Sequence, residues 1–228
     1  MSMIESQIRA ANGLVRIELL EVREFCREAE SFSKLKLKKL DREIKKFEKR
    51  VSEEVMDEED NANDHYLSDQ RMELEGRVEL TGYFGIIMVF STLERFLHRI
   101  YEHTMHLAVE PELVDVVLWS SRNKWLNFGD FRGFLKQLGV DGKKFDWPGI
   151  KKLHQLRNAI VHQGGMVTEA NLNFLSSYGY KESQRVKAPM SYVQESIKLV
   201  EKSTKEIGDA YLSALVKKKL ITLRGPKY

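Results

Sequence analysis

Cysteine is nearly absent: Cys26 is the only one in 228 residues. A lone thiol excludes a disulfide framework within the chain and a thiolate-rich structural metal site, and it fits a reducing compartment. Prolines number four, too few to interrupt long helices often. An uncharged run long enough to cross a membrane is also missing. The most apolar stretch, Tyr83 to Ile100, carries Glu94, Arg95, His98 and Arg99, which argues against a membrane span. Neither sign of charge dominates, since 37 Lys and Arg against 34 Asp and Glu leave a formal net charge of +3. That balance permits an acidic or phosphate-bearing partner without requiring one. No glycine-rich phosphate loop occurs: Gly82 and Gly85 lie within a helical pattern and match no nucleotide fingerprint. The opening MSMIESQIRA lacks the basic-then-apolar order of a secretory signal. The expectation is a soluble, cytoplasmic chain with no membrane partner.

What is present is helical periodicity. A hydrophobic share of 42% suffices for a core. From Ile4 to Val55, apolar residues recur at Ile8, Val15, Val22 and Ala29, then at Leu37, Leu40, Ile44, Phe47 and Val51. This spacing predicts one long amphipathic helix, or two separated near Ser31 to Ser33. The Asp-, Glu- and Asn-rich segment Met56 to Asp69 reads as a turn, followed by a second helix from about Gln70 to His106 that completes an antiparallel hairpin. Within that helix YFGIIMVFSTLERFLHRIY is apolar around most of its circumference, as the central helix of a bundle is, and Gly82 and Gly85 offer a neighbour close approach.

Shorter pieces follow: a helix from Pro111 to Trp119, then DFRGFLKQLG with Asp130 as cap and Gly139 as terminator. FDWPG opens the next helix and Gly164-Gly165 closes it. Asn173 to Pro189 has no clear period and reads as an irregular excursion or short hairpin. A last helix is expected from Ser191, with Gln194 placed for a reciprocal cap, to about Lys218. The expected organisation is residues 1–69 as a long amphipathic helix and acidic turn (a hairpin arm or dimerisation element), 70–220 as an antiparallel helical bundle, and 221–228 as a tail. The fold class is all-α.

One stretch raises a question of function. LHQLRNAIVHQGG, Leu153 to Gly165, places an arginine, an asparagine and two histidines in a core helix. Projected at about 100° per residue, Leu153, Leu156 and Ile160 form the apolar face, with Ile150 and Val161 on a shoulder. Arg157 falls between Leu153 and Val161, while His154, Asn158 and His162 stack at intervals of four along a polar edge. An unpaired guanidinium among apolar groups is costly, so Arg157 requires a carboxylate, an interface or a bound anion. Glu94, beside Phe90, Leu97 and Tyr101 on the central helix, is the candidate carboxylate for a charge-assisted pair. Such a pair is either purely structural or a means of orienting the arginine for a site.

The segment LRNAIVHQGG resembles the signature of the HEPN superfamily: an arginine, a following polar residue that is often asparagine, and a histidine four to six positions beyond the arginine near the end of a core helix. Arg157, Asn158 and His162 carry the match, with Glu94 as the acidic residue of the preceding core helix. The resemblance covers roughly residues 76–218 and leaves the N-terminal hairpin arm unmatched. It implies a HEPN-like helical bundle and a metal-independent endoribonuclease, its signature helices facing across a homodimer cleft. Arg157 and His162 would then be catalytic, with Asn158, Glu94 and His154 supporting them. RNA would be the substrate, no cofactor would be needed, and an antitoxin or regulatory protein would be a further partner, as in defence and toxin-type nucleases. The alternative is a catalytically silent HEPN-like module that binds RNA, a nucleotide or a protein through its bundle or arm.

The residue types suit that chemistry. A 2′-hydroxyl can attack its own adjacent phosphorus and leave a 2′,3′-cyclic phosphate if a group moves protons near neutral pH, which histidine does. A guanidinium offers paired donors to the developing charge on phosphate oxygens. Arg157 and His162 lie about 140° apart on an ideal helix, so a two-fold dimer, letting the arginine of one copy meet the histidine of the other, is the natural way to join them.

Other features carry less. Lys151 and Lys152 are candidate RNA contacts, as are the basic runs KLKLKKLDREIKKFEKR and KKKLITLRGPK; such lysines more often form the wet side of an amphipathic helix. Arg99 and His106 match the loosest form of the arginine–histidine pattern but lie on the outward side of the second helix. His98, His103 and His106 lie close together near the end of the second helix, but His103 and His106 lack an evident carboxylate or cysteine to complete a metal set, so no metal is expected. Trp119, Trp125 and Trp147 read as core or interface anchors.

Overall fold

The computed structural model describes residues 3–52, 58–107, 128–140, 142 and 145–220. Among them the chain is all-α: α1 (Met3–Val51), α2 (Glu58–His106), α3 (Phe128–Gln137), α4 (Trp147–Gln163), α5 (Glu169–Leu175), a short 3-10 turn (Ser176–Tyr178) and α6 (Met190–Lys217). The expected helix over Pro111 to Trp119, together with Trp119, Trp125 and the tail 221–228, lies outside the described residues.

α1 is one uninterrupted helix and runs antiparallel to α2. Contacts between them step down one helix as they step up the other: Arg50 with Asp60, Arg71 with Asp41 at 3.8 Å, the Cys26 thiol with the Thr81 carbonyl at 3.7 Å, and Arg95 with Glu18 at 2.6 Å. The hairpin therefore matches its periodicity. The acidic segment does not: where the composition predicts a turn up to Asp69, α2 is already helical from Glu58. Glu58, Glu59 and Asp60 occupy its first turn, where negative charge meets the unsatisfied N–H groups and the positive end of the helix dipole.

The main core takes its apolar residues from the open end of the hairpin, the first half of α1 and the second half of α2, and from the later helices. Ile8, Val15, Leu19 and Cys26 of α1 meet Ile86, Val89, Phe90, Leu93 and Phe96 of α2, with Phe131 and Phe134 of α3, Leu153 of α4 and Val193, Ile197 and Tyr211 of α6. Each large apolar side chain so buried contributes about 1.5–3 kcal/mol. Leu40, Phe47 and Leu67 form a separate small cluster where the distal half of α1 packs on the start of α2. The apolar run of α2 is thus the interior helix of the bundle. Over an 18-residue window it is apolar enough by length and composition to cross a membrane, and 56% of that window is buried within the fold.

Close packing between α2 and the start of α6 rests on two missing side chains. A Cβ at Gly82 would lie 1.8 Å from the Ala188 carbonyl oxygen, and one at Gly85 would lie 2.7 Å from Val193 Cγ1. The segment between α4 and α6 is less irregular than its sequence suggests. It holds α5, the 3-10 turn and one antiparallel bridge, Met166 to Arg185.

Two capping expectations change. α6 begins at Met190 behind Pro189 with no side-chain cap, so Ser191 lies inside the helix and no reciprocal cap with Gln194 forms. The fixed φ of Pro189, −62° here, presets the entry without a hydroxyl. In α3, Asp130 stands in the first turn of a helix that already includes Phe128, while Gly139, at φ +82°, follows its end as expected.

Candidate functional site

α4 carries Arg157, Asn158 and His162, and both of its ends are fixed by local chemistry. The Asp146 carboxylate accepts a hydrogen bond from the Gly149 amide at 2.9 Å, and proline stands in the first turn. At the other end Gly164 adopts φ 58°, a left-handed conformation that costs glycine nothing, and its amide donates back to the Ala159 carbonyl. Between these caps Ile150, Leu153, Leu156, Ala159 and Ile160 are buried. Val161, expected on the shoulder of that face, is instead 44% exposed beside the exposed His162. The reason is angular: the buried arc swings toward Ala159, which packs close because it is small, and this turns Val161 outward.

Arg157 is half-buried, but its contact differs from the expected pair with Glu94. Its Nη1 donates to Asn158 Oδ1 at 3.0 Å, and its Nε is buried with no acceptor. Glu94 stands within the field of the guanidinium without forming an ion pair with it. Burial holds the Glu94 carboxyl above its ordinary range, and the charges of Arg157 and then His98 only partly oppose that rise. A neighbouring amide on the same helix thus holds the arginine where a carboxylate from α2 was expected.

Asn158 links two residues. Its Oδ1 takes the Arg157 hydrogen bond, which leaves its Nδ2 hydrogens toward His154 Nε2 at 3.0 Å. Arginine has no acceptor, so the asparagine cannot turn over without opposing donor to donor. His154 Nε2 must therefore accept, and the ring is neutral with its proton on Nδ1. The ring lies over Phe90, with centroids 5.1 Å apart and planes at 28°, and tilts against Phe128 at 4.9 Å. Burial, and secondarily the Arg157 charge, push the His154 pKa below its ordinary value, consistent with that tautomer. Spacing alone shows the edge shared by His154 and Asn158. It cannot show the aromatic sandwich, which comes from α2 and α3.

The polar edge is only partly joined. His154 and Asn158 touch, while His162 continues the row exposed to solvent, and within one chain Arg157 and His162 are not brought together. Lys151 and Lys152 are engaged with rings: Lys151 Nζ lies 4.9 Å from the Phe174 centroid, and Lys152 Nζ lies 4.7 Å from Tyr178 and 5.1 Å from Tyr192. The basic run on α1 behaves largely as a solvated face, with Lys34, Arg50 and Asp41 in ion pairs along the hairpin. His98 meets Phe131 edge-on at 5.2 Å. Among the described residues no three His, Cys, Asp or Glu side chains gather as a metal site.

Two residues near α4 carry no signal in the sequence. Arg132 of α3 and Tyr178 of the 3-10 turn line one cavity with Lys151. They come from separate helical pieces with no shared period. Comparison with family models, with curated proteins and with solved structures finds no match for this chain.

Proposed function

We propose that this chain is a cytoplasmic, metal-independent endoribonuclease of HEPN type, with Arg157 and His162 as its catalytic pair and two copies needed to complete the site. The observation that carries the reading is the state of Arg157: a half-buried cation held by an amide, with no carboxylate in contact and a buried Nε that has no acceptor. A phosphate entering there would satisfy donors that the fold leaves open.

His162, exposed on the same helix, would take the proton of the attacking 2′-hydroxyl. The 2′-oxygen-to-phosphorus bond forms, the bond from phosphorus to the 5′-oxygen breaks, and the leaving oxygen takes a proton from water, to which His162 then returns the one it removed. Arg157 of the other copy would face the charge gathering on the phosphorane oxygens. Asn158 and His154 act as positioning residues, because they fix the guanidinium through hydrogen bonds. Val161, apolar and 44% exposed beside His162, supplies the kind of surface on which a second copy would close.

The test is incubation of the protein with mixed RNAs in the presence of a chelator. Cutting is expected to persist with chelator, to leave 2′,3′-cyclic phosphate ends, and to vanish in His162→Ala. No cutting of any RNA would overturn the reading.

A second reading has its own supporting observation. Along α1, Leu14, Ile17, Phe25, Phe32 and Leu35 remain exposed although large and apolar. A catalytically silent module, docking a protein partner such as an antitoxin or regulator through this row, accounts for them. The same RNA assay separates the two readings.

A further inference from the structure

The start of α4 lines a cavity of about 400 Å³ whose walls include Arg132, Phe145, Trp147, Lys151, Phe174 and Tyr178. Its volume falls within the range of small-molecule sites. Two chemistries meet there. Four aromatic rings lie in two pairs: Phe145 with Trp147 at 6.0 Å and 82°, and Phe174 with Tyr178 at 5.2 Å and 47°. Two cations, Arg132 and Lys151, accompany them, and among the described residues neither has an ion pair and no carboxylate stands on the lining. Asp146, which lies between Phe145 and Trp147 in the chain, is turned to cap the Gly149 amide.

A further group is unsatisfied. The Trp147 indole N–H is buried and has no acceptor, whereas a buried indole ordinarily finds one. It lies against Gly142, where a Cβ would sit 3.1 Å from Nε1. Apolar ring walls, two cations with no carboxylate partner among the described residues and one unsatisfied donor within the wall together select a ligand with a planar ring, an anionic group and a carbonyl acceptor.

We propose that this cavity binds one nucleotide of a single-stranded RNA, its base against the aromatic walls with a carbonyl toward Trp147, and its phosphate at Arg132 and Lys151. Aromatic stacking plus cationic phosphate contact is how proteins hold single strands without reading their sequence. The position on α4 favours a strand over a free nucleotide. Lys151, Asn158 and His162 are separated by seven and four residues, which keeps them within about 20° of one line along the helix. Lys151 and His162 are roughly 16 Å apart along its axis, a span that a few linked nucleotides cover. The cavity would hold the RNA upstream or downstream of the cut, and in naming RNA this assignment rests on the nuclease reading above.

Binding is tested separately from cutting by using a short 2′-O-methyl oligouridylate, which cannot be cleaved, beside uridine monophosphate and inorganic phosphate. The oligouridylate is expected to bind the full chain most tightly of the three. The double variant Arg132→Ala, Lys151→Ala should weaken it by about tenfold or more, with a salt dependence shallower by about 0.7 for each phosphate that is no longer neutralised. Trp147→Phe keeps the ring and removes the donor, and a smaller loss is expected; unchanged thermal melting confirms that each variant is folded. Unchanged oligouridylate affinity in the double variant overturns the site, and tighter binding of the mononucleotide than of the oligomer overturns its assignment to a strand. His162→Ala should still bind the oligouridylate, so a protein that binds but never cuts sinks the nuclease reading and leaves this site standing.

Discussion

Asn158 donates its amide to His154 Nε2 at 3.0 Å while accepting from Arg157 on its other side, and this relation fixes the protonation of a histidine about two helical turns from the start of α4. A protonated ring would turn its Nε2–H against the amide hydrogens and place its charge beside the guanidinium. The direction of linkage follows. The folded His154 pKa lies below the ordinary 6.5, so the unfolded chain binds more protons, and this contribution to stability is present above 6.5 and lost as pH falls toward the folded value. Glu94 contributes with the opposite sign, because its raised pKa makes the folded state take up protons more readily as pH falls. Comparing wild type with His154→Phe cancels the Glu94 contribution. In denaturant titrations on either side of pH 6.5, the wild type should lose more midpoint than the variant as the medium is acidified; parallel losses would contradict the hydrogen-bond relay.

Much of this site is legible in the sequence, for a definable reason. Leu153, Leu156 and Ile160 repeat with the helical period, Gly164 follows the last periodic residue, and both properties are local. The direction of Arg157 is not legible. Whether a guanidinium reaches across to Glu94 or along its own helix to Asn158 depends on how Phe90 and Phe128 seat His154, and those rings arrive from distant parts of the chain. The start of α2 eludes the sequence because acidic residues signal a turn and a helix N-terminus equally well. What decides between them here is packing, since Leu67 closes a cluster with Leu40 and Phe47. The cluster of Arg132, Lys151 and Tyr178 lies beyond any periodic pattern, because three separate elements each supply one residue.

Gly82→Ala tests the packing of α2 against the entry to α6. A methyl group would overlap the Ala188 carbonyl at 1.8 Å, and backbone cannot swing aside as a side chain can. Overpacking ordinarily costs about 1–3 kcal/mol, and with backbone as the obstacle the loss should reach at least the top of that range. Chemical denaturation of Gly82→Ala beside Gly76→Ala, where no atom lies within 4 Å, measures the difference. Equal stability of the two variants would mean that α2 and α6 do not approach as described.

Val161→Glu tests the need for a second copy. The side chain is 44% exposed, so a carboxylate there meets water in a lone chain and folding should be unaffected. In a two-copy cleft beside His162 the same carboxylate would be desolvated and would repel its symmetry mate. The expected outcome is an unchanged melting temperature, a solution mass that drops from two chains to one, and loss of RNA cutting. A variant that remains dimeric and active would place the interface elsewhere.

The sharpest separation of a structural from a catalytic arginine comes from Arg157→Met, which keeps an unbranched apolar stem and removes the charge. If Arg157 served the fold, its removal would lower stability. Here the guanidinium has no carboxylate in contact and a buried Nε without an acceptor, so its burial opposes folding, and methionine should raise stability by on the order of 1 kcal/mol once solvent screening of a half-buried group is allowed for. Charge stabilisation of a developing oxyanion is worth about 100- to 1,000-fold in rate per donor, so RNA cutting should fall by that much or more. The two readouts are expected to move in opposite directions, as they do where a residue is kept for chemistry at the expense of stability. A variant that melts earlier and cuts normally would return Arg157 to the core as a structural residue.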